Sequence, residues 1–232
     1  MFIKLKNIIW SNKESALIPL TESEYKDQLI DIESEKAKLA FEKSWEIRNF
    51  EIEMYWKRAT YFWAFIASTF VGYLALINSD SYSKPDAYNH VEVYFLLCIG
   101  LILSFAWHLT NLGSKSWQRH WEVHIDLLED KFTGPLYKTV FPYQTFSVSK
   151  INETVSFTFI SIWLLLGAKY LLDQNLIRKI GEDYTINWFV AISSTLTVFV
   201  ILSMLKGHGR GRFGSRPITM YRRQVHYKSS PD

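Results

Sequence analysis

The chain has 232 residues, 48% hydrophobic and 16% aromatic, with a formal net charge of +3. A single Cys excludes a disulfide framework and a thiolate zinc site, and the lack of a repeat period or long low-complexity tract excludes solenoid and fibrous classes. A mean hydropathy of -0.03 conceals strong segregation, with charge in a few blocks and apolar residues filling others.

The opening residues, MFIKLKNIIW, hold too short an apolar run for a signal peptide and no small-residue cleavage site, so this segment is expected to be retained. From Thr21 to Thr60 there is neither Gly nor Pro. Thr21-Glu22-Ser23-Glu24 reads as a capping box. Tyr25, Leu29, Ile32, Leu39 and Ala40 then recur near helical spacing, as do Phe41, Trp45, Phe50 and Ile52. The pattern predicts a long helix that runs into the first apolar stretch through Tyr55-Trp56-Lys57-Arg58. Its stripe is too irregular for a simple heptad coiled coil. It can pack on the middle loop of its own chain or contact another subunit.

Four stretches have the length, about 20 mostly apolar residues, needed to cross about 30 Å of hydrocarbon. They are Ala59–Ile77, Val91–Leu109, Val155–Leu172 and Ile186–Leu205, and none has a charge in its central turns. The expected architecture is an all-α membrane protein with four transmembrane helices. Its regions are an N-terminal part at 1–58 with a long helix, spans one and two at 59–112, a helical loop at 113–150, spans three and four at 151–205, and a basic tail at 206–232. In the first span Ala64, Ser68 and Gly72 recur every four residues, and Gly100 and Ser104 repeat that spacing in the second. Small residues let helix backbones approach closely where lipid removes the hydrophobic drive, so these positions mark buried faces, within one chain or between chains. Ser193, Ser194, Thr195 and Thr197 in the fourth span can hydrogen-bond within and between helices or line a wet pore. Cys98 reads as a small packing residue.

The middle loop opens as Asn111-Leu112-Gly113-Ser114 and then turns helical. Trp117, Trp121, His124 and Leu128 share one face, with Glu122, Asp126, Glu129 and Asp130 on others, until Thr133-Gly134-Pro135 breaks the helix. Tyr137, Phe141, Tyr143 and Phe146 follow. An aromatic face this near a membrane packs on the N-terminal helix or lies among headgroups, and the neighbouring acids favour packing. His120 and His124 have metal-compatible spacing, but the adjacent Glu of a hydrolytic HExxH site is missing and no Cys is near, so packing is expected. His108, at the end of the second span, suits an interfacial hydrogen bond.

Lys and Arg set the orientation. Ten precede the first span, five lie in the 113–150 loop and seven in the tail, which places 22 on one side against four on the other. Positive residues stay cytoplasmic, so both termini are expected there. The tail residues Arg210, Arg212 and Arg216 are placed to meet anionic lipid headgroups. The same rule explains the Arg-Gly tract without invoking RNA, so no nucleic-acid partner is expected. No phosphate loop, dinucleotide fingerprint, nucleophile elbow or paired catalytic carboxylates occur, so neither an enzyme nor a cofactor is expected.

Three segments together resemble the bacterial RipA family of octameric membrane proteins. They are YWKRATYFWAFIA at 55–67, NLGSKSWQRHWEVHIDLLEDKFTGPLYKTV at 111–140 and FSVSKINE at 146–153. The resemblance implies an inner-membrane homo-oligomer, an octamer, linked to bacterial fitness under stress or inside hosts. It implies no reaction. The alternative from another class is an oligomeric channel or pore with hydroxyl-bearing walls.

Overall fold

The computed structural model describes residues 21, 23–25, 27, 34–80, 91–139, 146–174, 177–180 and 183–206. Apart from Thr21 they belong to one compact unit, 22–210. Glu22 of the expected capping box, residues 29 and 32 of the first stripe, Phe141, Tyr143 and the tail arginines Arg210, Arg212 and Arg216 lie outside the described residues.

Four helices dominate: α1 (Ser34–Ile77), α2 (Val91–Phe132), α3 (Val148–Gln174) and α4 (Trp188–Lys206). All four are long and apolar enough to cross a membrane. At 44 and 42 residues, α1 and α2 extend about 66 and 63 Å, roughly twice a bilayer core. Half of each therefore projects beyond the hydrocarbon as a helical head. The absence of Gly and Pro from Thr21 to Thr60 leaves nothing to stop α1 before its apolar stretch, and it runs on as one rod.

In α2 the expected break at 111–114 does not occur. Gly113 costs a helix only about 1 kcal/mol, and the second span continues into the head as the same helix. It ends at Phe132, before Gly134 at a positive φ of 68° and Pro135, as the turn residues require.

One addition to the all-α expectation is a small antiparallel hairpin, β1 (Ile177–Ile180) with β2 (Asp183–Ile186), between α3 and α4. Ile177 pairs with Ile186 and Ile180 with Asp183, leaving two residues between the strands. DYTI alternates polar with apolar or aromatic residues and IRKI carries its β-branched Ile at both ends, which suits a short ladder.

Helix α2 is central and packs on all three others. Contacts Phe41–Phe132, Trp63–Trp107 and Gly72–Leu96 show α1 antiparallel to α2 over its whole length. The pairs His108–Ser156 and Tyr94–Tyr170 fix α3 antiparallel on another side of α2. One core cluster lies among the spans, around Val93, Leu97, Trp163, Tyr170 and Val190. A second lies in the head, around Phe41, Ile125 and Leu128.

Candidate functional site

Among the spans, shape carries the packing. A Cβ on Gly100 would come within 3.0 Å of the indole of Trp163, which is itself buried, so α2 and α3 meet at a glycine-for-tryptophan interlock. The Trp163 ring then stacks on Phe70 of α1 with centroids 4.1 Å apart, tying three helices together. A polar seam runs beside this interlock towards the head. Tyr94 Oη and Ser194 Oγ, 2.6 Å apart, join α2 to α4; His108 Nδ1 and Ser156 Oγ, 2.9 Å apart, join α2 to α3. The Asn152 amide donates to Tyr55 Oη at 2.8 Å and joins α3 to α1. Burial, with a push from the Glu153 carboxylate, holds the Tyr55 phenol above its usual range against the opposing Asn152 bond. Ser104 Oγ, Trp107 Nε1, Asn111 Nδ2 and Trp163 Nε1 are buried without a hydrogen-bond partner.

The head is built on different chemistry. Phe41 stacks on Phe132 and meets Trp45 edge-on, and Trp45 meets Tyr137 edge-on. Arg48 lies over both Trp45 and Tyr137 and donates to the Tyr137 hydroxyl at 3.2 Å. At the centre is Glu129, fully buried, whose carboxylate accepts the backbone N–H groups of Tyr137 and Lys138 at 2.6 and 3.0 Å. Sequence spacing places Glu129 only off the face of Trp117, Trp121, His124 and Leu128; the structure shows it buried. The turn at 133–135 folds the chain back over the end of α2, and the side chain beside Leu128 becomes an internal clamp for amides with no helical acceptor. The only advance signal was an acid one turn before a helix-breaking Thr-Gly-Pro.

Nearby, the hydroxyl of Tyr25 and His124 Nδ1 are 2.5 Å apart, and the Nε2 atoms of His124 and His120 are 3.3 Å apart. Burial, followed by the repulsion of His120, pushes the His124 imidazole below its usual value. No three His, Cys, Asp or Glu side chains among the described residues converge as metal ligands would.

The expected packing residues divide by location. Gly100, Ser104 and Leu128 are buried within the chain, Trp121 and His124 are half-buried, and Trp117 is exposed. The face turned towards α1 runs through Ser114, Ile125 and Leu128, displaced from Trp117. In the first span Gly72 approaches Leu96, whereas Ala64 and Ser68 face away from the other helices. On α4, Ser193 and Thr197 are buried, Ser194 reaches Tyr94 and Thr195 is exposed. Ser194, Thr195 and Thr197 each donate to the carbonyl four residues earlier.

A family model described as the octameric membrane protein family (8xMP) matches residues 38–172, which is most of α1, all of α2 and α3 as far as Leu172. No curated protein and no solved structure matches the chain.

Proposed function

The chain belongs to the octameric membrane protein family, and on that footing we propose that it is a non-enzymatic multipass protein of the bacterial cytoplasmic membrane that assembles as a ring of eight copies. The observation that carries this reading is apolar surface where no lipid can cover it. Leu39, Phe50 and Val123, all in the head, are 54–55% exposed. Burying such a side chain is worth about 1.5–3 kcal/mol, and contact with another copy supplies that burial. Within the spans the outward-facing Ala64 and Ser68 allow close approach of a neighbouring helix.

The Lys and Arg asymmetry supports a cytoplasmic head with both termini on the same side. The tail residues Arg210, Arg212 and Arg216 then meet anionic headgroups, and membrane lipid and further copies of the chain are its partners. By the resemblance of residues 55–67, 111–140 and 146–153 to the RipA family, the assembly serves adaptation to stress or to a host. A pore lined by Ser193, Ser194, Thr195 and Thr197 gains no support from their arrangement, because these hydroxyls point to more than one side of α4 and three of them are occupied by its own carbonyls.

The test is the protein mass of the particle purified in mild detergent. Eight chain masses are expected, and a clean monomer would contradict the reading. Val123→Lys, which places a charge on the exposed head surface, should shift the particle to smaller assemblies while the helix content stays constant.

A further inference from the structure

Between α2 and the start of α3, at the level where the spans end, the chain holds a cavity of about 300 Å³. Lys115, Ser116 and Arg119 line it from α2, and Ser147, Ser149, Lys150 and Glu153 from the α3 side, with Leu112. Three cations thus face one carboxylate. None of Lys115, Arg119 and Lys150 joins an ion pair among the described residues, although Glu153 lies on the same wall. Ser147 caps α3 by accepting the Lys150 N–H at 3.4 Å, so the first amides of a 27-residue helix open beside the cations.

Lys150 lies about 7.5 Å before Val155, within interfacial layers that add about 5–8 Å on each side. Lys115 and Arg119 lie about 9 and 15 Å beyond Leu109 on a helix whose side chains tilt back toward the membrane, so their long stems reach headgroup depth. Leu112, Val155 and Phe157 are exposed on the membrane side and offer apolar surface to acyl chains. We propose that this cavity binds the phosphodiester headgroup of an anionic phospholipid, with Lys115, Arg119 and Lys150 holding the phosphate and the serine hydroxyls and Glu153 meeting polar groups of the headgroup. This assignment rests on the membrane-spanning reading and concerns residues separate from the tail arginines.

The test uses the full chain in mild detergent, with bound lipid counted by native mass spectrometry. Phosphatidylglycerol, phosphatidylcholine and soluble glycerol phosphate are titrated in parallel. The wild type should retain phosphatidylglycerol over phosphatidylcholine, and removing each cation should weaken that preference about fivefold. The triple variant Lys115→Gln, Arg119→Gln, Lys150→Gln should lose it while particle mass and helix content stay unchanged. Should the triple variant misassemble, Lys150→Gln alone serves, with a loss of about fivefold expected. Unchanged preference in the variants, equal retention of the two lipids by the wild type, or equally tight binding of glycerol phosphate would each overturn the proposal. A chain that stays dissolved without detergent would instead remove the membrane reading beneath it, a separate readout.

Discussion

The head and the spans are made from the same two helices, yet they are held together differently. In the head, water is the competitor, and an aromatic cluster around Phe41, Ile125 and Leu128 closes over a buried carboxylate. In the spans apolar burial separates packed from unpacked helices far less, because lipid is as apolar as the side chains; steric fit and hydroxyl contacts decide instead, as at Gly100 and Trp163 or Tyr94 and Ser194. One continuous rod can thus obey two sets of packing rules, changing at about residue 59.

The largest effect that would sharpen this contrast is at Glu129. Replacement by Ala leaves two backbone amides without their acceptor and should cost about 3 kcal/mol, with Gln recovering part of it. Hydrogen exchange should rise across residues 125–139 and stay low in the spans; protection lost equally in both would break the division. Gly100→Ala should do the reverse. Its methyl must displace the Trp163 indole, at roughly 1–3 kcal/mol, and thermal unfolding in detergent should register the loss with the head still protected.

A smaller effect concerns pH. His124 holds its proton less readily when folded than when unfolded, so as pH falls through about 6.5 the unfolded chain takes up protons first and the head loses stability. Asp126 is shifted the other way, mainly by burial, and opposes that trend. Melting followed between pH 7.5 and 5.5 should therefore fall, and His124→Gln should flatten the slope. The smallest change is Gly72→Ala. Its Cβ meets only the flexible end of Leu96, at 3.3 Å, and a helical Ala is preferred over Gly by about 1 kcal/mol, so stability should be unchanged or slightly raised. A loss as large as at Gly100 would show that the two small-residue positions are equivalent after all.

Much of the fold was legible because hydrocarbon imposes length and composition. The four apolar stretches, the unbroken run from the head through Tyr55-Trp56-Lys57-Arg58 and the stop at Thr133-Gly134-Pro135 follow from residue types alone. The continuity of α2 through Gly113 was not legible, since a glycine between two helical patterns fits both a break and a tolerated interior residue. Nor could spacing separate Gly100, which meets Trp163, from Ala64 and Ser68, which face outward: all lie in the same small-residue pattern, and only the partner helix tells them apart. Glu129 was hidden for a related reason, because the N–H donors it accepts from arrive from a turn that has no periodicity to read.

The claim most in need of a direct measurement is that α1 is one rod passing from water into lipid. Spin labels placed singly from Leu39 to Leu74 in the reconstituted protein report accessibility to a water-soluble nickel chelate and to oxygen. The account predicts an unbroken helical period throughout, with chelate access giving way to oxygen access at about residue 59. A lapse of that period near the crossover, or chelate access continuing past Ala64 to Val71, would contradict it.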